Sequence, residues 1–174
     1  MKRILTVVSL GLLMAACSNK KTNNEPTIKS LLIQQLKNAH TNQQWFAPTK
    51  KAIEGLTLEQ SNWKDSSGNH SIGELVSHLI FWHELHLKAF KGETVTDITD
   101  EEKNKETFKL NKGKDWQNAV SRLDRIQTEW ERLTEHATDE QLAKWNVEIA
   151  NMSAHTAYHT GQIIYIRKMK GWWK

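Results

Sequence analysis

A single cysteine, Cys17, stands among 174 residues, so the chain has no disulfide framework, CxxC redox pair or cysteine-based zinc motif. Proline and glycine are scarce, at 2 and 8 residues, Tyr occurs twice, and runs of Val or Thr are few. Both shortages argue against a β-sandwich with its frequent turns. Neither sign of charge dominates. The 24 Lys and Arg face 20 Asp and Glu, and the basic residues are scattered rather than banded, so no nucleic-acid partner is expected. No serine-centred triad, Gly-rich phosphate loop or HExxH motif is present. What remains, 38% hydrophobic and 25% charged, is the composition of one ordinary globular domain. A domain of this length buries about 70% of the surface its unfolded chain exposes.

The first residues read as an address. Met1-Lys2-Arg3 is a short positive head, and the apolar run from Ile4 to Met14 is shorter than the ~20 residues of a membrane-spanning helix. Ala15-Ala16-Cys17 then resembles a bacterial lipobox, with Met14 where Leu is more usual. The resemblance implies cleavage before Cys17, thioether lipidation of its sulfur and acylation of the new terminus. A membrane lipid becomes the partner, since two or more acyl chains anchor stably. The alternative is a plain secretory signal with an incidental cysteine. Ser18 fits the non-retained pattern of lipoproteins, so the expected location is the cell envelope, on the outer membrane facing the periplasm. Residues 1–16 are then a signal peptide and residues 17–26 a lipidated cysteine with a polar tether. Loss of Lys2 and Arg3 leaves 22 basic against 20 acidic residues.

The domain from Thr27 to Lys174 reads as all-α, with four main helices. Ile28, Leu31, Leu32, Leu36 and Ala39 recur at three-and-four spacing, and the pattern continues through Trp45 and Phe46 toward Ile53 with a break at Pro48. Ser71 with Glu74 forms a capping box that opens a helix over about Ile72–Phe90, closed by Gly92. Thr94–Lys114 is polar and poorly periodic, the length of one long crossover in a four-helix bundle. Trp116, Ala119, Val120, Leu123, Ile126 and Trp130 mark a third helix. A short helical turn over Thr138–Trp145 and a last helix over about Glu148–Lys170 follow. Of the 8 Trp, Trp82, Trp116 and Trp130 belong to the core, and Trp172 and Trp173 are expected to pack back on the bundle.

Chemistry concentrates in eight histidines: His40, His70, His78, His83, His86, His136, His155 and His159. Four residues advance a helix by about 400°, so His155 and His159 emerge ~40° apart on one face. Two imidazoles on the apolar stripe of Met152, Ile163 and Ile166 need partners, which a shared metal or hydrogen bonds to backbone or Gln162 would provide. Another ligand would come from the second helix, where His83 and His86 lie within the apolar stripe and His78 on its flank, so periodicity neither selects nor excludes His78.

Ser71-Ile72-Gly73-Glu74-Leu75-Val76-Ser77-His78-Leu79, ending in Lys88-Ala89-Phe90-Lys91-Gly92, resembles the second helix of the DinB/YfiT-like four-helix bundles. His155-Thr156-Ala157-Tyr158-His159-Thr160-Gly161-Gln162-Ile163 is similar to their last-helix motif. Gly55-Leu56-Thr57-Leu58-Glu59-Gln60-Ser61-Asn62-Trp63 is like their loop after the first helix. The resemblance extends over about Thr27–Lys170. It implies a divalent metal held by His78, His155 and His159, and leaves His83 and His86 outside the ligand set. Zn²⁺ is the first choice for an all-imidazole site, with Ni²⁺ or Fe²⁺ as alternatives. Gln162 would orient a ligand.

Three histidines leave coordination positions open, as in catalytic rather than closed structural sites. The resemblance implies a thiol S-transferase using a low-molecular-weight thiol, or a hydrolase. The chain's own cysteine nucleophile is excluded, because Cys17 belongs to the lipobox. Glu74 and Glu84 are the carboxylates on the metal-bearing helix, with no feature marking either as a base. The competing expectation is a non-catalytic metal- or ligand-binding lipoprotein braced by its metal. A homodimer is a further expectation, since related bundles pair through helices.

Overall fold

The computed structural model describes residues 26–96 and 101–173. Among these residues all regular structure is helical: α1 Ile28–His40, α2 Thr49–Ile53, α3 Leu58–Asn62, α4 Ile72–Phe90, α5 Glu101–Lys105, α6 Asp115–His136 and α7 Asp139–Met169. The four long helices form a closed ring of neighbours, with α1 against α6 and α7, and α4 against the same two. The expectation of an all-α bundle therefore holds. The segment that carries Cys17 lies outside the described residues. No helix among the described residues is long and apolar enough to cross a membrane.

Local chemistry sets the helix starts. Thr27, Thr57, Ser71 and Thr138 each accept from the backbone N–H three residues on, and the side chain at that third position answers with the capping residue's own N–H. These reciprocal caps satisfy donors that the first turn would otherwise leave exposed. At the far end of α4, Gly92 takes φ +83° and its N–H returns to the Ala89 carbonyl, which lets the chain leave the helix.

Two expectations need correction here. The short turn over Thr138–Trp145 and the last helix are one continuous 31-residue helix, α7, about 46 Å long. Nothing between Trp145 and Glu148 breaks a helix. Exposed Val147 only interrupts the apolar stripe, which runs on through buried Leu142, Ile149 and Met152. The first helix, conversely, stops at His40 and does not carry its pattern through Trp45 and Phe46. Trp45 is fully exposed and Phe46 largely so. Ile28 and Leu31 also face outward, while Leu32, Leu36, Ala39 and His40 are the buried side of α1.

The core is a single cluster in which Trp116 and Trp130 are the largest fully buried side chains. Both indoles are satisfied: Trp116 Nε1 donates to the Leu56 carbonyl and Trp130 Nε1 to the His83 carbonyl. Trp172 and Trp173 pack against the cluster as expected, with Arg167 over the Trp173 ring and Lys170 over the Trp63 ring. Gly73 has a packing reason to lack a side chain, since a Cβ there would meet the Asn111 amide at 2.9 Å.

Candidate metal centre

Helices α4 and α7 lie side by side, and the register between them brings His78 to His155 and His159. The Nε2 atoms of His78 and His155 are 3.2 Å apart, and those of His159 and His155 are 2.9 Å apart. One ligand atom from each residue lies within 4.8 Å of the other two. Nitrogens sharing one tetrahedral cation at 2.0–2.1 Å would be about 3.3 Å apart, so the observed spacing suits a single ion. His78 and His159 are buried, and His155 is partly exposed on the open side.

The outer nitrogens decide what the inner ones present. Thr107 Oγ1 donates its hydrogen to the Asn104 carbonyl and must therefore accept from His78 Nδ1, 2.5 Å away. His159 Nδ1 meets the Gln162 carbonyl oxygen at 2.6 Å and must likewise be the donor. Both rings then carry their hydrogen outward and aim a bare Nε2 lone pair at the shared centre. A single proton on His155 Nε2 cannot point at both, so a lone-pair repulsion remains that a cation would relieve. Gln162 thus fixes the orientation of the His159 ring.

Electrostatics favour the same state. Burial, followed by the neighbouring His159 and His155, pushes His78 down to about 3. Burial, then His159 and His86, takes His155 down to about 4. Burial also lowers His159, opposed in part by its bond to Gln162. All three are neutral donors at pH 7, the form a metal requires.

Other sequence candidates fall outside this set. His83 is fully buried; its Nε2 donates to Thr156 Oγ1, which is itself committed to the Met152 carbonyl. Its Nδ1 has no partner among the described residues, and burial lowers the imidazole to about 3. His86 is half-buried beside Trp82. Glu74 is engaged in the Ser71 cap and by Lys64, and Glu84 is paired with Arg122. Neither carboxylate is free to serve the centre as a base.

Two contributors were not legible beforehand. Thr107 and Phe108 lie in the stretch read as a surface connection, yet Thr107 is buried and Phe108 stacks on His78 with ring centres 4.0 Å apart. His70 stacks on the other face of Phe108 at 3.7 Å, giving a three-ring pile from His70 to the ligand imidazole. The one available signal was an aromatic residue inside an otherwise polar segment. Beside this pile a cavity of about 460 Å³ is lined by Trp63, His70, Tyr158, Gln162, Tyr165 and Ile166, among others. Gln162 and His70 connect its wall to the ligand rings.

An all-helical bundle with three convergent, neutral imidazoles defines the class: a helical protein able to bind a divalent metal through histidines alone. The DinB superfamily model matches residues 41–163, and the chain belongs to that superfamily. No curated protein and no solved structure matches the chain.

Proposed function

We propose that this chain is a lipid-anchored, metal-dependent enzyme, in which His78, His155 and His159 hold a divalent cation, Zn²⁺ first and Ni²⁺ or Fe²⁺ as alternatives. Its reaction is transfer of a small thiol or, second, hydrolysis. The observation that carries this reading is the pair of outward bonds to Thr107 and Gln162, which leaves two lone pairs converging on a third imidazole. Such a cation would act as a Lewis acid that lowers the pKa of a bound thiol or water.

The chain's own groups supply position and surroundings. Thr107 and Gln162 hold two rings in the tautomer that offers Nε2. The Phe108 stack covers one face of His78. The cavity beside Gln162 offers aromatic walls, from Trp63, Tyr158 and Tyr165, to an apolar substrate portion. With Glu74 and Glu84 engaged elsewhere, ionisation of a bound thiol or water would rest on the cation alone. The same engagement supports a second reading, a bundle whose metal braces α4 against α7 without catalysis.

Metal content by mass spectrometry on wild type and His155→Ala tests the proposal, with helicity followed by circular dichroism. Stoichiometric metal in wild type, lost in a folded His155→Ala, together with metal-dependent consumption of a low-molecular-weight thiol, supports the enzyme. Unfolding on chelation with no turnover of any thiol or ester supports the brace. Metal-free wild type after growth in metal-replete medium would defeat both.

A further inference from the structure

A second cavity, of about 410 Å³, lies between the end of α2 and the N-terminal half of α6, and shares no lining residue with the metal centre. Its walls include Ile53, Leu56, Trp116 and Val120, and Gln127 is among its polar lining residues with Lys50, Glu54 and Asp124. Gln127 is only 5% exposed, and its carboxamide has no hydrogen-bond partner among the described residues. Its amide atoms are not sealed away but open into the cavity, where a donor and an acceptor stand ready for a partner from outside the chain.

The charges at its His40 end are matched. His40 is buried with Nδ1 2.7 Å from Glu131 and Nε2 3.1 Å from Asp124, and Lys50 closes on Asp124 at 2.9 Å. Asp124, Gln127 and Glu131 follow at three-and-four spacing on one face of α6, so Gln127 sits between the two carboxylates that hold His40. An anionic ligand would meet the carboxylates of Glu54 and Asp124 on the lining. A carboxamide offers one donor and one acceptor side by side, and the group that answers both is another amide.

We infer that this cavity is a binding site for a neutral small molecule with an amide or lactam edge on an apolar ring, the edge paired with Gln127 and the ring against Val120 and Ile53. The volume is within the ~300–1,000 Å³ range of small-molecule sites, and the lining surface is mainly apolar. The site is independent of the metal and of the reaction proposed above.

Benzamide is the probe, titrated into the full-length protein and followed by NMR at the Gln127 side-chain amide and the Trp116 indole. Saturable shifts at both are expected, with benzoate binding more weakly because of the neighbouring carboxylates. Gln127→Leu should weaken benzamide about tenfold, the loss of paired hydrogen bonds. Val120→Trp should close the cavity and abolish the shifts, and His155→Ala should leave the affinity unchanged. Absence of saturable shifts, equal affinity in Gln127→Leu, benzoate binding as tightly as benzamide, or shifts confined to the Tyr158 cavity would each overturn the inference.

Discussion

His78 Nδ1 and the Thr107 hydroxyl lie 2.5 Å apart, and because that hydroxyl is already donating to the Asn104 carbonyl, the imidazole has one tautomer open to it. A residue from the crossover thereby determines which nitrogen α4 offers to α7.

Removing these outer partners should weaken metal binding without unfolding the chain. Thr107→Val and Gln162→Leu each release one ring, and loss of such partners typically costs 10–100-fold in affinity. Competition with a chromophoric chelator measures this. Unchanged affinity in both variants would mean that the tautomers are held by something else.

Acid should destabilise the metal-free protein earlier than carboxylates alone would. His78 and His83 are held at about 3 and His155 at about 4, against an ordinary value near 6.5. As pH falls below about 6.5 the unfolded chain takes up protons that the folded chain refuses. Stability is therefore full above pH 6.5 and declines as pH falls toward 4 and then 3. For fully buried His83 the slope is of order 1 kcal/mol per pH unit. Urea unfolding in chelator at pH 7.5, 6 and 5 tests it, and equal midpoints would contradict it.

Trp130 is the packing element on which α4 and α6 depend. It is fully buried, touches Phe90 with ring centres 5.5 Å apart, and bonds the His83 carbonyl. Trp130→Ala should cost about 3–5 kcal/mol, read as a lower denaturation midpoint. Ser71→Ala, which removes a single cap, should cost about 1 kcal/mol. A reversed order would place the main hold on α4 at its cap.

The proposed lipid anchor has its own test. Cys17→Ser should abolish acyl labelling and release the protein from the membrane fraction, with the folded domain unchanged. Persistent labelling would refute lipidation at that sulfur.

The histidine set illustrates how far pattern reading reaches. His155 and His159 were paired by helical arithmetic alone, since both sit on one continuous element. Choosing His78 over His83 and His86 was beyond periodicity: His83 and His86 lie within the apolar stripe of α4 and His78 on its flank, and only the motif resemblance singled out His78. The fold separates them by register. His78 meets the α7 pair, whereas His83 turns one donor to Thr156. Val147 shows the opposite error, an exposed apolar residue that disguised an unbroken helix. Trp45 shows it again, apolar by type yet fully outside.

Helix starts, the positions of the long helices and the His155–His159 pair were determined by the sequence itself. Caps, turn glycines and the 3.6-residue period act over a few neighbours and need no knowledge of the rest of the chain. The approach of α4 to α7, the burial of Thr107 from a polar crossover, the clasp on His40 and the unpaired Gln127 amide were decided only in three dimensions. Each joins groups distant in the chain, and such contacts depend on how whole helices pack and slide against one another, which no local pattern encodes.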